Sequence, residues 1–229
     1  MKLLLVTDIH GEVNKLERIV EKEQFDAILC GGDLAEAPMG EEGEKVRDSN
    51  LEKYSSKLNQ VLDVFEKKGV MAKSVPGNMD PEEECVRQLI ERRMNIHKKI
   101  AAFEEFEVVG FGGGQTPFDT PFEPSGEEIK TAIETLHGRM KSDRKAAVIH
   151  MPPARTNLDQ VDGDHVGSEE VRELIEEKDF ELVLTGHIHE SWGEHELSGT
   201  HVVNPGPVME GRYGIAEFGE ELEVELKQL

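Results

Sequence analysis

Four consecutive aliphatic residues, Leu3-Leu4-Leu5-Val6, run straight into Thr7-Asp8-Ile9-His10-Gly11. An unbroken apolar run this short, stopped by polar residues and a glycine, is the pattern of a strand covered on both faces, as in the mostly parallel sheets of α/β proteins. Residues two apart on a strand share a direction, so Asp8 and His10 converge at its C-terminal edge, where open α/β sheets bind ligands. A carboxylate beside an imidazole is half of a metal site. The other ligands have to come from elsewhere in the chain.

The pattern recurs along the sequence. Val13, Leu16, Ile19 and Val20 have helical spacing after Gly11 and predict a crossover helix ending near Gln24, with its N-terminus turned toward Asp8 and His10. Phe25 to Cys30 reads as a second buried strand, and it ends in Gly31-Gly32-Asp33. From about Ala35 to Asn50 the chain is acidic and aperiodic, as in a solvated loop or lid. A helix through Leu51, Leu58, Val61, Leu62 and Phe65 stops at Gly69. The strand Val70 to Val75 then leads to Pro76-Gly77-Asn78-Met79-Asp80, and a short helix runs from Pro81 to about Arg93.

Two short strands are expected between Asn95 and Gly110. The run Gly112-Gly113-Gly114 lacks the lysine of a phosphate-binding loop and reads as a flexible turn before a proline-rich loop. Ser125-Gly126-Glu127-Glu128 offers a capping box to a helix reaching about Met140. Ala146 to Ile149 is a strand that ends in His150, and a loop from Ala154 to Gly167 precedes a helix over Ser168 to Lys178. Phe180 to Leu184 ends in Thr185-Gly186-His187-Ile188-His189, and alternation around Tyr213–Phe218 and Leu222–Leu226 predicts a closing hairpin.

At 229 residues, with no internal repeat or linker, the chain is expected to form one α/β domain over residues 1–229. The longest apolar run is far short of a membrane span, and the N-terminus enters a structural strand rather than a cleavable signal. Cys30 and Cys85 have no metal-type spacing and read as reduced thiols in a cytoplasmic setting, Cys30 in the core and Cys85 on a helix surface. The formal net charge of −22 repels a long polyanion, which disfavours a nucleic-acid platform. A small phosphate ester is not excluded, because the field inside a metal site is dominated by the ions. Self-association is left open by the sequence.

Five strand ends carry Asp8 and His10, Asp33, Asn78, His150, and His187 and His189. Seven imidazole, carboxylate and amide ligands are too many for one tetrahedral ion and natural for two divalent ions sharing a bridge, with Asp33 the natural bridging carboxylate. The ordered series Asp8-x-His10, Gly32-Asp33, Gly77-Asn78-x-Asp80, His150-x-Pro152-Pro153 and Gly186-His187-x-His189, with Asn204-Pro205-Gly206 after it, resembles the calcineurin-like metallophosphoesterase family. The resemblance implies a four-layer α/β/β/α sandwich with a dinuclear centre at the strand tips. By that resemblance Asp8, His10, Asp33 and His189 hold one ion, and Asp33, Asn78, His150 and His187 hold the other. Manganese is the expected metal, with iron, nickel or zinc also accepted by such ligands. The implied activity is hydrolysis of small phosphate esters, phosphodiesters above all, by a water that the ions activate. Asn78 is expected both to ligate and to point its amide N–H at the phosphoryl group.

The chain departs from the family at Met79, where many members carry a histidine that stabilises the transition state or protonates the leaving group. Methionine donates no proton, so activated diesters are the expected substrates. Asp80, left without that imidazole, is a candidate catalytic residue that orients a water or a neighbouring loop, with a structural role the alternative. His165, in Asp164-His165-Val166-Gly167-Ser168, is the candidate substrate-binding residue that replaces the missing donor. Two other readings compete: a catalytically weak scaffold for protein interactions, against which the seven intact ligands argue, and a hydrolase with a single ion.

Overall fold

In the computed structural model the described residues are 1–36 and 48–229, so most of the acidic segment read as a lid lies outside them. In chain order the first elements are β1 (Lys2–Val6), α1 (Val13–Lys22), β2 (Ala27–Cys30) and α2 (Asp48–Lys68). Next come β3 (Met71–Ser74), α3 (Glu82–Glu91), β4 (Lys99–Ala102), β5 (Glu107–Phe111), α4 (Gly126–His137) and β6 (Lys145–Ile149). The remainder is β7 (Gln160–Val161), β8 (Asp164–His165), α5 (Glu169–Glu177), β9 (Leu182–Leu184), β10 (Gly193–Leu197), β11 (Thr200–Asn204), β12 (Arg212–Phe218) and β13 (Leu222–Gln228).

Two sheets form the centre, one ordered β13-β12-β1-β2-β3 and the other β10-β11-β9-β6-β5-β4. The strands that end in candidate ligands run parallel to one another: β1 pairs in parallel with β2, β2 with β3, and β6 with β9. Parallel pairing puts all those ends on one edge of each sheet.

Alternation along β1 shows why its aliphatic run is continuous. Leu4 and Val6 join α1 and α2 in one apolar cluster with Leu16, Ile19 and Leu58, whereas Leu3 and Leu5 face the second sheet and pack with Val108, Val148 and Leu184. The outer face of the second sheet is covered by α4 and α5 through Ile129, Ile133, Val171 and Leu174. The layers are therefore helix, sheet, sheet, helix. A buried leucine in such a core is worth roughly 1.5–3 kcal/mol of transfer free energy.

Ser125 and Ser168 cap α4 and α5 by accepting the backbone N–H of Glu128 and of Val171, each 3.2 Å away. Elsewhere the structure corrects the sequence. Cys85 is fully buried, because Cys85 and Leu89, four apart, form the face of α3 that docks on the Tyr54 and Leu58 face of α2. Helix α4 stops at His137, short of Met140, with Gly138 as its cap. The segment 154–167 is not wholly loop but contains the small β7–β8 hairpin. The edge strand β10 has no clear signature in the sequence, because only Leu197 in it is buried and the residues before it are mostly polar.

Candidate metal centre

The turns leaving β1 and β2 run side by side. The amide of Asp8 donates to Gly32 O (3.0 Å), that of His10 to Asp33 O (2.9 Å) and that of Gly11 to Leu34 O (2.9 Å). To follow this path Asp8, His10 and Asp33 take φ values of 51°, 47° and 49°, and His187 takes 72°. Asp and His are among the non-glycine residues most tolerant of this left-handed region, and holding several of them there marks a site over-determined by its surroundings.

The side chains converge as the spacing predicts. His10 Nε2 lies 3.2 Å from His189 Nε2, and His189 Nε2 lies 3.5 Å from Asp8 Oδ1. Asp33 Oδ2 stands between two histidines, 3.7 Å from His10 Nε2 and 3.6 Å from His150 Nε2. Asn78 Oδ1 is 3.1 Å from His150 Nε2 and 2.7 Å from His187 Nδ1. Ligand atoms of Asp8, His10 and His189, and likewise of Asp8, Asp33 and His150, all lie within 4.8 Å of one another. The two sets have Asp8 in common, Asp33 Oδ2 lies between His10 of one and His150 of the other, and Asn78 Oδ1 joins His187 to His150.

The outward atoms of these groups show which way the inner lone pairs face. His150 Nδ1 is 2.8 Å from Gly31 O and His187 Nε2 is 3.1 Å from Gln115 O, so each ring donates an N–H to a carbonyl and has its other nitrogen facing inward, where a bound ion would take the place of a proton. His10 Nδ1 faces Glu36 Oε1 at 2.9 Å. The amide of Asn78 is oriented by Thr120, whose Oγ1 accepts from Nδ2 at 3.3 Å, which leaves Oδ1 toward the two imidazoles. That bond uses one of the two N–H groups on Nδ2. Nitrogen and oxygen lone pairs brought this close repel unless protons or a cation lie among them, and the mixed His, Asp and Asn set suits divalent transition ions.

The electrostatics agree. Burial pushes Asp8 up, but the His189 hydrogen bond and the charges of His150, His189 and His10 outweigh it and hold the carboxyl below its usual range. Burial pushes His150 down, yet Asp33 and Asp8 raise it to about 9, and His10 is raised to about 9 against burial by Glu36, Asp33 and Asp8. His187 is lowered to about 4, first by burial and then by the charge of His150. Two buried carboxylates here call for positive charge.

Behind the ligands lies a structural carboxylate. Asp33 Oδ1 accepts the backbone N–H of Met79 at 2.8 Å, and a Cβ on Gly77 would stand 2.0 Å from that same oxygen, so only glycine fits there. Asp80 is fully buried and accepts from the amides of Leu34 (3.1 Å), Ala35 (3.2 Å) and Gly77 (2.8 Å) and from the Tyr54 hydroxyl (2.9 Å). Burial and then the charge of Asp33 push it up to about 6, opposed by those amides. Asp80 therefore ties the Asp33 turn to the Asn78 turn. Sequence reasoning misses Tyr54, Glu36, Thr120 and Gln115, none of which belongs to a motif.

His165 sits on β8, half exposed, with Nδ1 2.7 Å from Asp159 Oδ1. Asp159 is fully buried and also accepts the amides of Arg155, Thr156 and Gly167. The hairpin bearing His165 is joined to the helical turn His189–Ser191 by Gln160, whose N–H donates to Ser191 Oγ (2.9 Å) and whose carbonyl accepts from it (2.6 Å).

The sequence profile of the family described as "Metallophosphoesterase, calcineurin superfamily" matches residues 1–229. The chain belongs to that family. It is 33% identical over 213 residues to an uncharacterized protein of Methanocaldococcus jannaschii, covering 90% of this chain and 88% of the relative. A crystal structure from Thermus thermophilus superposes with a TM-score of 0.75 at 21% identity, over 99% of this chain and 98% of that one. A dimetal phosphatase from Danio rerio does so with a TM-score of 0.68 at 12% identity, over 100% and 96%. These likenesses show the four-layer fold.

Proposed function

We propose that this metallophosphoesterase is a phosphodiesterase acting on small phosphate esters, that it works as one domain with ligands drawn from both sheets, and that it uses two divalent ions, manganese foremost. The observation that carries the reading is the pair of ligand sets that have Asp8 in common and Asp33 between His10 and His150, with the outer atoms of His150, His187 and Asn78 already committed to protein partners. Bound there, two divalent ions would acidify a water and neutralise phosphoryl oxygens, the usual contribution of such pairs.

The chain's own residues do the rest. Asp8, His10, Asp33 and His189 form one half of the cradle, and Asp33, Asn78, His150 and His187 the other. Asp80 and Tyr54 hold the Asp33 and Asn78 turns in register, so Asp80 acts as a positioning residue. The Met79 side chain supplies no proton, and its backbone N–H serves Asp33 instead. His165, held by Asp159 through Nδ1, would use Nε2 to bind the phosphate or protonate a leaving group. The formal charge of −22 keeps long nucleic acids away. Two free, buried cysteines are compatible with a reducing, cytoplasmic setting, and among the described residues no helix is long and apolar enough to cross a membrane.

The test is hydrolysis of bis(4-nitrophenyl) phosphate by purified protein with manganese. Turnover that a chelator abolishes and manganese restores is the expected result. No turnover on diesters or monoesters, with two ions bound, overturns the reading and favours the scaffold.

A further inference from the structure

The edge that carries the ligands is also where most of the exposed apolar side chains gather. Among the described residues six large hydrophobic side chains are exposed, and four of them, Phe118, Val166, Trp192 and Met209, stand on segments that border the metal-ligand cluster. Single exposed apolar residues are ordinary, whereas several on segments flanking one site suit contact with a ligand. The loop of Phe118 is fastened to two ligands, since His187 Nε2 bonds Gln115 O, and Asn78 bonds both Thr120 Oγ1 and, through its carbonyl, the Phe122 amide (3.0 Å). Trp192 directly follows the turn that begins with His189. The Met209 amide reaches Asp8 O at 3.4 Å, and Val166 is next to His165.

The backbone that carries Phe118 and the indole of Trp192 are held in place. Glu123 closes the Phe118 loop by accepting from the Thr116 hydroxyl (2.5 Å), the Thr120 amide (2.8 Å) and the Thr120 hydroxyl (2.6 Å), which leaves Phe118 71% exposed at the tip. The Arg212 guanidinium lies 4.3 Å from the centre of the Trp192 ring and is paired with Glu210, so the indole is braced while 43% of it still meets solvent. A flat, braced indole in water beside a phosphate-binding floor is a surface for another flat ring.

We propose that this rim binds the organic group of the substrate, and that the preferred esters carry a planar aromatic or heteroaromatic group beside the phosphate, stacked on Trp192 with Phe118 as a second wall. The inference rests on the hydrolase reading, because a phosphate seated on the buried ligands leaves its ester group to emerge between these loops. Stacking of a ring on an indole corresponds to a gain in binding of about 5- to 100-fold.

Trp192 is the only tryptophan in the chain, so its fluorescence reports the rim directly. With the full manganese-loaded protein, phenylphosphonate is expected to quench that fluorescence and to inhibit diester hydrolysis at least about fivefold more strongly than methylphosphonate. Trp192→Ala and, separately, Phe118→Ala should shrink that ratio toward one, and Trp192→Phe should restore most of it. Hydrolysis in the wild type with equal inhibition by the two phosphonates overturns the inference and leaves the hydrolase reading intact. If hydrolysis is absent, the hydrolase reading falls, and the inference falls with it whatever the fluorescence shows. A dimer that dissociates on Trp192→Ala while the phosphonate ratio is unchanged assigns the rim to contact between copies and overturns the proposal.

Discussion

The floor of this site and the rim around it are built on opposite terms. On the floor the candidate ligand side chains are mostly buried, those of His150, His187 and Asn78 are fixed by a bond on the side away from the cluster, and the turns carrying Asp8, His10, Asp33 and His187 are held in left-handed backbone. On the rim, Phe118 and Trp192 lie open to water, braced from behind by Glu123 hydrogen bonds and by Arg212. The difference separates two tasks. Ligand geometry tolerates little play, whereas a surface proposed to stack on a planar group needs only a fixed place and a flat face.

The sharpest way to break the floor is Asp33→Asn. It removes the carboxylate charge that lies between His10 and His150, and diester hydrolysis should fall by on the order of 10³-fold or more with loss of bound manganese, measured by steady-state kinetics and metal analysis. A floor that kept both ions without Asp33 would not be the one described.

His165→Ala probes the junction of floor and rim. Turnover of alkyl esters, which need a protonated leaving group, should drop by roughly 10²-fold, and that of nitrophenyl esters by far less. Equal losses on both would reduce His165 to a structural role. Asp80→Asn strikes the support beneath the floor: it replaces an acceptor of three amides, and metal affinity should weaken about 10- to 100-fold in a calorimetric titration. Tyr54→Phe removes one of its four bonds and should cost about 1 kcal/mol in urea unfolding.

His97 tests the seating of the rim loop. Its Nδ1 accepts the Gly112 amide at 2.9 Å, Nε2 faces Glu82 at 3.3 Å, and burial, with the Lys98 charge, lowers it to about 3 from an ordinary value of 6.5. The unfolded chain therefore takes up a proton between pH 6.5 and 3 that the folded chain refuses. The stability contributed by neutral His97 is complete above pH 6.5 and is lost as pH falls toward 3. His97→Gln should flatten that part of the pH profile of unfolding while leaving hydrolysis at about pH 7.5 within about twofold. A steep profile unchanged in the variant would place the acid sensitivity elsewhere.

The same contrast governs what is legible in the sequence. Floor residues stand directly at the ends of buried strands, so an apolar run followed by Asp, Asn or His announces each of them, and parallel pairing gathers them on one edge. Rim and support residues come from segments whose local pattern says nothing of their target. Tyr54 reads as one more core position of α2, Thr120 and Gln115 as loop, and Glu36 as part of an acidic stretch. Cys85 is misread as a surface residue because α3 is short and mostly charged, and its buried face is visible only once α2 is beside it. Asp80 is visible in its motif, but its four donors come from three separate stretches of chain, a convergence that spacing does not encode.

The central claim is that seven side chains from five strand ends cradle two cations through one common carboxylate. Titrating the metal-free protein with manganese while counting bound ions by mass spectrometry of the intact chain tests it most directly. The wild type should take up two ions per chain and Asp33→Asn none at matched concentrations. A wild type that saturates at one ion, or an Asp33→Asn protein that still holds two, contradicts it.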